Sequence, residues 1–178
     1  MAGVAAAWTA DLVPGCRAWR SAPPKASWYS RAGNGLTAAC ALVGAAPDLD
    51  LVLHIHRTFT HSAGAVIFVG LFAAALAANA ERPIARVALM CGGAYGSHVL
   101  LDWLAADSSS PYGLQVLWPF SDGWFISGWN VFPQTVRRHF LTPAVIAQNV
   151  RAVVQEVAIL GPVLVGLWVL RARTLTRR

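Results

Sequence analysis

The stretch Ser62 to Asn79, SAGAVIFVGLFAAALAAN, holds eighteen residues and no charge. It is apolar on every side and shows no alternation of period two, so it reads as a helix enclosed by protein or lipid rather than as a strand. About twenty apolar residues cross a hydrocarbon core of about 30 Å, and this run comes close. Thr60 and Ser62 stand at its start as N-cap candidates, because a hydroxyl there can accept from the unpaired N–H groups of the first turn. Glu81, Arg82 and Pro83 close it with a tight polar turn. Ile84 to Ala106 gives a second span, rich in small residues (Cys91, Gly92, Gly93, Ala94, Gly96, Ser97) that let helix backbones approach closely in a bilayer.

Working outward, Val153 to Leu170 is a third apolar run, with Glu156 near its start and Gly161-Pro162 as a predicted kink. Leu36 to Ala46 is apolar but offers only about three helical turns, too few to span. Pro47 ends it, since the residue before a proline is pushed out of the α region. Residues 107–111 form a loop. Residues 112–150 hold Trp118, Trp124 and Trp129 among glycines, prolines and polar residues, which suits an interfacial region because Trp prefers the headgroup level.

Residues 1–35 are the least regular part. Pro23, Pro24, Gly33 and Gly35 break any long helix, and Val4 to Ala7 lacks the basic region of a signal peptide. The expectation is a poorly defined segment over 1–35, with at most one short helix, followed by a single membrane-embedded domain over 36–178. The expected fold is all-α: a polytopic membrane bundle of three to four helices with an interfacial Trp-rich loop region.

Composition agrees with that class. The 178 residues are 56% hydrophobic and 12% charged, against about 25% charged in soluble domains. An alanine-rich soluble helical protein is the plainer alternative, and the uninterrupted apolar runs argue against it. The net charge of +6 is not gathered into a basic stripe with aromatics between, so nucleic acid is not an expected partner. Arg171, Arg173, Arg177 and Arg178 instead crowd the end of an apolar run, as in an anchor at an anionic leaflet. With three spans after His61, the Arg82 and Arg86 turn and this tail share one side, which the positive-inside rule makes cytoplasmic by six arginines against the four (Arg57, Arg137, Arg138 and Arg151) on the other. Cys16, Cys40 and Cys91 are scattered and show no CxxC spacing, so neither a disulfide framework nor a thiolate zinc site is indicated.

Against this apolar background the ionisable groups are concentrated. Asp48, Asp50, His54, His56 and His61 fall within fourteen residues, and His98 and Asp102 sit inside the second span. An Asp at bilayer depth costs about 2.5–3.5 kcal/mol on insertion scales, so it is seldom there without a role. His98 and Asp102 are four apart, which puts both on one helix face about 6 Å apart. His61 begins one span and Asp102 nears the end of the next, so two antiparallel helices bring them to the same membrane face. Asp48 and Asp50, in a non-helical stretch after Pro47, can supply oxygen ligands. Neutral imidazole with carboxylate satisfies Zn²⁺, Mn²⁺ or Fe²⁺, and the residue types alone do not choose between them.

Plainer readings stand beside these. Asp48 can cap the turn after Pro47, and Asp102 can form a structural ion pair. Arg57 is either a snorkelling surface residue or an anion clamp. His54 reads as a hydrogen-bonded surface group, His139 as part of a basic loop with Arg137 and Arg138, and Glu156 as interfacial.

The blocks Pro47-Asp48-Leu49-Asp50, His56-Arg57-Thr58-Phe59-Thr60-His61-Ser62 and Ser97-His98-Val99-Leu100-Leu101-Asp102 resemble the signature blocks of the YdjM-like family. So do Tyr112-Gly113 and Leu117-Trp118-Pro119-Phe120. The likeness runs from about Leu36 to the C-terminus and is specific in combination rather than piece by piece. Members are bacterial inner-membrane proteins predicted to be metal-dependent hydrolases, with a more distant likeness to helical zinc-dependent phospholipases C. The resemblance implies a multi-pass protein of the bacterial inner (cytoplasmic) membrane, with the metal held by the Asp and His residues of these blocks. One departure is that family members usually begin with a helix carrying a further His, and residues 1–35 contain none.

The favoured expectation is a membrane-bound hydrolase in which Asp50, His56, His61, His98 and Asp102 hold the metal. Asp48 would be a ligand or general base, and Arg57 an anion clamp. Its partners would be the lipid bilayer and an amphiphilic small-molecule substrate. The competing expectation is a non-catalytic membrane protein whose metal or ion-pair cluster ties helices together and supports a protein partner. A transporter is a weaker third, given so few spans and no broken-helix repeat.

Overall fold

A computed structural model describes residues 1–12, 33, 35–53, 56–108, 110–136 and 141–176. Cys16, Pro23, Pro24, His54, Arg137, Arg138, His139, Arg177 and Arg178 lie outside the described residues. Among those described are five α-helices: α1 (Ala2–Leu12), α2 (Gly35–Ala45), α3 (Ala63–Asn79), α4 (Ile84–Leu104) and α5 (Pro143–Thr176). Two 3₁₀ segments, Ala46–Leu53 and Phe59–His61, connect α2 to α3. No named strand occurs among the described residues. The segment between α4 and α5 carries only the isolated bridges Ala105 with Phe132 and Leu114 with Phe125. The protein is an all-α membrane bundle.

Three stretches are long and apolar enough to cross a membrane: Gly35–Val52, Ile84–Leu104 and Pro143–Arg173. Helix α3 has nearly the bounds expected of the first span, but its 17 residues extend about 26 Å at about 1.5 Å per residue, slightly less than the core. The stretch before it departs from expectation. Pro47 does end α2, yet the chain continues as a 3₁₀ helix to Leu53, and this extension gives the segment spanning length. Pro47 is the second residue of that 3₁₀ segment, a position where a helix does not need its missing N–H. The last helix begins at Pro143, ten residues before the apolar run, and continues through Pro162.

Side-chain sizes are sorted in the sense that lipid imposes. The interior is built of small residues, with Ala7, Cys40, Ala73, Cys91 and Ala94 around Met90. Leu42, Phe68, Leu71, Phe72 and Leu89 face outward. Lipid tails are as apolar as leucine, so association in a bilayer gains from close backbone approach rather than from hiding large side chains. Glycines mark the closest seams. A Cβ on Gly3 would fall 2.3 Å from the Cys40 carbonyl oxygen, and one on Gly44 would fall 3.1 Å from the Gly3 Cα and 3.3 Å from the Ala94 carbonyl oxygen. Helix α1, drawn from the segment expected to be poorly defined, thus packs against α2 and α4, and also against α5.

Candidate metal centre

The cluster forms where the end of α2, the turn before α3 and the last turns of α4 meet. Ser62 caps α3: its hydroxyl accepts from the Ala65 N–H at 3.0 Å and donates to the Phe59 carbonyl at 2.6 Å. Of the two cap candidates Ser62 takes the role, and Thr60 is freed for the site. The Thr60 hydroxyl donates to Asp50 Oδ2, and its carbonyl accepts from the Tyr95 hydroxyl at 2.7 Å, which ties the turn to α4.

Asp50 is buried, and both of its oxygens are engaged within the protein. Oδ1 accepts from His56 Nδ1 at 2.9 Å. Oδ2 lies 3.2 Å from His61 Nδ1, and it also accepts from the Thr60 hydroxyl and the Arg57 N–H. His98 is held in the same manner, with Nδ1 donating to the Gly44 carbonyl at 2.9 Å. Each of the three imidazoles therefore has an oxygen at Nδ1. A proton held there leaves the Nε2 lone pair as the donor, the tautomer a metal-binding histidine takes.

The Nε2 atoms of His61 and His98 are buried and make no hydrogen bond. Asp102 Oδ2 lies 3.3 Å from the first and 3.7 Å from the second, and Asp48 Oδ1 lies 3.6 Å from His98 Nε2. Two overlapping groups, Asp48 with His56 and His61, and His61 with His98 and Asp102, each bring their ligand atoms within 4.8 Å of one another. Bonds of about 2.0–2.2 Å from Zn²⁺ to nitrogen or oxygen keep donors within about 4 Å of each other, a limit met by the 3.3, 3.6 and 3.7 Å separations among His61, His98, Asp102 and Asp48. Two buried nitrogens that make no hydrogen bond and face two carboxylates at ion-pair distance are what such a site presents, and the residues fit the group.

The seven residues singled out from sequence thus occupy different positions. His56, His61, His98, Asp48 and Asp102 converge. Asp50 stands behind the two nearest imidazoles. Asp48 and Asp50 belong to a 3₁₀ turn rather than a non-helical stretch, and they serve different places: Asp48 reaches His98 and shares a ligand group with His56 and His61, whereas Asp50 takes the Nδ1 side of His56 and His61. Arg57 forms the wall: its Nη1 lies 2.6 Å from Asp107 Oδ2. Its backbone is left-handed, with φ at 66°, a conformation that costs a non-glycine residue about 1–3 kcal/mol. The Arg57 N–H donates to Asp50 and its carbonyl accepts from the Gln115 N–H, which holds it there.

Two participants escaped the sequence reading. Asp107 falls in the stretch 107–111 that reads as a loop, yet its Oδ2 takes both Arg57 and the Gly113 N–H. The Gly44 carbonyl has no side-chain signature at all. The Trp-rich segment also closes the site from behind. Carbonyls of Val116 and Trp118 accept from the N–H groups of Ala63 and Gly64 at the start of α3. A Cβ on Gly64 would fall 2.6 Å from the Trp118 oxygen.

Comparison with curated proteins and with solved structures gave no match. The family model of the YdjM inner membrane protein matches residues 2–174, nearly the whole chain, and the protein belongs to the YdjM inner membrane protein family.

Proposed function

We propose that this protein is a membrane-embedded, metal-dependent hydrolase. The observation that carries the reading is the convergence of two buried Nε2 atoms, on His61 and His98, which make no hydrogen bond, with the carboxylates of Asp102 and Asp48 at 3.3 and 3.6 Å. A divalent ion among them would take both nitrogens and both carboxylates as ligands at once, and the donor set suits Zn²⁺ foremost and Mn²⁺ or Fe²⁺ next. His56, His61, His98 and Asp102 would hold it. Such an ion supplies Lewis acidity, polarising the scissile group and bringing the pKa of water from 15.7 towards about 7.

The remaining residues divide the other tasks. Asp50 orients His56 and His61 through their Nδ1 atoms and keeps both in the binding tautomer. Asp48, whose side chain is 47% exposed, is placed to complete the ligand set or to take a proton from water entering on that side. Arg57, engaged by Asp107, holds the turn that carries His56 and His61 and is better placed to stabilise it than to clamp an anion.

The test is metal content of the purified protein, compared with Asp102→Ala, together with hydrolysis of a chromogenic phosphoester panel. Bound metal and turnover in the wild type, both lost in the variant with the protein still in the carbonate-washed membrane pellet, support the proposal. Wild-type protein that takes up neither Zn²⁺ nor Mn²⁺ and hydrolyses nothing ends it. Metal without turnover, and a lower melting temperature in the variant, would instead favour a structural cluster.

A further inference from the structure

His61 stands between two carboxylates at nearly equal range. Asp50 Oδ2 lies 3.2 Å from its Nδ1, and Asp102 Oδ2 lies 3.3 Å from its Nε2. The His61 side chain is fully buried, so bulk water does not compete for either nitrogen. A neutral imidazole carries one ring proton. With that proton on Nε2 the ring would donate to Asp102 and could not bind a metal there; with it on Nδ1 the Nε2 lone pair is open. The two carboxylates alone do not choose.

Thr60 does. Its hydroxyl is hydrogen-bonded to His61 Nδ1, at 3.0 Å, and also to Asp50 Oδ2. Two oxygens at hydrogen-bonding distance need a proton between them. An ionised carboxylate has only lone pairs and a hydroxyl has a single proton, so the proton towards Asp50 is the one on Thr60. Thr60 then turns a lone pair to His61, and Nδ1 must supply the proton between them. Donation runs from His61 Nδ1 through the Thr60 hydroxyl to Asp50, and Nε2, which makes no hydrogen bond, keeps its lone pair. His56 needs no such relay, because its Nδ1 meets Asp50 Oδ1 directly at 2.9 Å. The two rings stand 79° apart, with centroids at 4.7 Å, and the hydroxyl joins the second ring to a carboxylate already aligned with the first.

Thr60 is itself held from α4. The buried Tyr95 donates its hydroxyl to the Thr60 carbonyl at 2.7 Å. Tyr95 lies on the helix that also carries His98 and Asp102, so the residue that places the His61 proton is registered against the other ligands. We infer that Thr60 is a positioning residue: its hydroxyl, seated by Tyr95, relays His61 Nδ1 to Asp50 and reserves Nε2 for a metal rather than for a proton shared with Asp102. The metal part rests on the reading above; the place of the proton does not.

The experiment uses the full chain in detergent, prepared metal-free and isotopically labelled in its histidine nitrogens, with His61→Gln to identify the His61 signals by nuclear magnetic resonance. Under mildly alkaline conditions the His61 proton should be on Nδ1 in the wild type and in Thr60→Ser, and should move to Nε2 in Thr60→Val. Chelator competition should then give a Zn²⁺ dissociation constant raised about 10–100-fold in Thr60→Val and unchanged in Thr60→Ser, while the metal-free proteins melt together. Thr60→Ala removes the same hydroxyl and replaces Thr60→Val if that variant melts early. An Nδ1 proton with wild-type affinity in Thr60→Val overturns the inference. So does a Thr60→Ser variant as weak as Thr60→Val, which would make the lost methyl group the cause. Wild-type protein that binds no Zn²⁺ ends the metal reading, whereas the place of the His61 proton in the metal-free variants decides the role of Thr60 by itself.

Discussion

Helices α4 and α5 are both long, both apolar and both of membrane length, yet they serve the bundle differently. Helix α4 packs against α1, α2 and α3 and buries Met90, Cys91, Gly92, Ala94, Tyr95 and Val99. Helix α5 packs chiefly against α1, and among its described side chains only Ala152 and Arg171 are buried. The contrast lies in side-chain size and polarity, and the more apolar of the two helices is the less buried. Small residues on α4 admit three neighbours, and His98 and Asp102 at its end give those neighbours something to converge on. The valines and leucines of α5 keep it at arm's length. Apolarity brings a helix into the membrane; small residues and polar pairs make it interior.

The sharpest way to break this comparison is at the polar end of α4. His61 belongs to both ligand groups, so His61→Ala should reduce bound metal from the wild-type level to background, measured by elemental analysis of purified protein. Retention of wild-type metal would mean that the convergence on α4 is not a metal centre. Asp50→Asn tests the layer behind. Outer carboxylates that orient ligating histidines are worth 10–100-fold in affinity, so chelator competition should give a dissociation constant raised by about that factor. An unchanged constant would place Asp50 outside the ligand-orienting role.

Packing comes next in size. Gly64→Val must move the Trp118 backbone, which a Cβ would approach to 2.6 Å. Overpacking of this kind costs about 1–3 kcal/mol, and the melting temperature in detergent should fall by several degrees. On α5 the expected effect is smallest. Val165 is 62% exposed, and Val165→Ala should change stability by less than about 0.5 kcal/mol in the same melting assay. A loss as large as that of Gly64→Val would show that α5 has a partner of its own, and the contrast would collapse.

Much of the site was legible because its chemistry is local in sequence. A His-x-x-x-Asp pair on a helix faces one way by helical geometry, and antiparallel spans joined by a short turn bring His61 to Asp102. Helices α3 and α4 fall within two residues of the bounds read from apolar runs alone. The rest depended on partners that sequence does not display. The first ten residues of α5 were hidden by Gln148, Asn149 and Arg151, which interrupt the apolar run. The Asn149 side chain is satisfied across space, donating to the Val136 carbonyl and accepting from its N–H. Thr142-Pro143 was a usable start signal, since proline suits the first helical position. The division of labour between Asp48 and Asp50 turned on a 3₁₀ turn that a proline seemed to forbid. The anchor of His98 is a main-chain carbonyl, and no residue type announces one.

That anchor bears on how the protein comes into being. The Gly44 carbonyl meets His98 only when α2 has docked on α4, and His61 meets Asp102 only when α3 has folded back against α4. During synthesis the cluster therefore stays incomplete until residues up to the end of α4 have been inserted, while α5 contributes none of its ligands. Metal uptake in this family member would thus report the joining of three separately inserted segments, a checkpoint on membrane assembly placed well before the last helix is made.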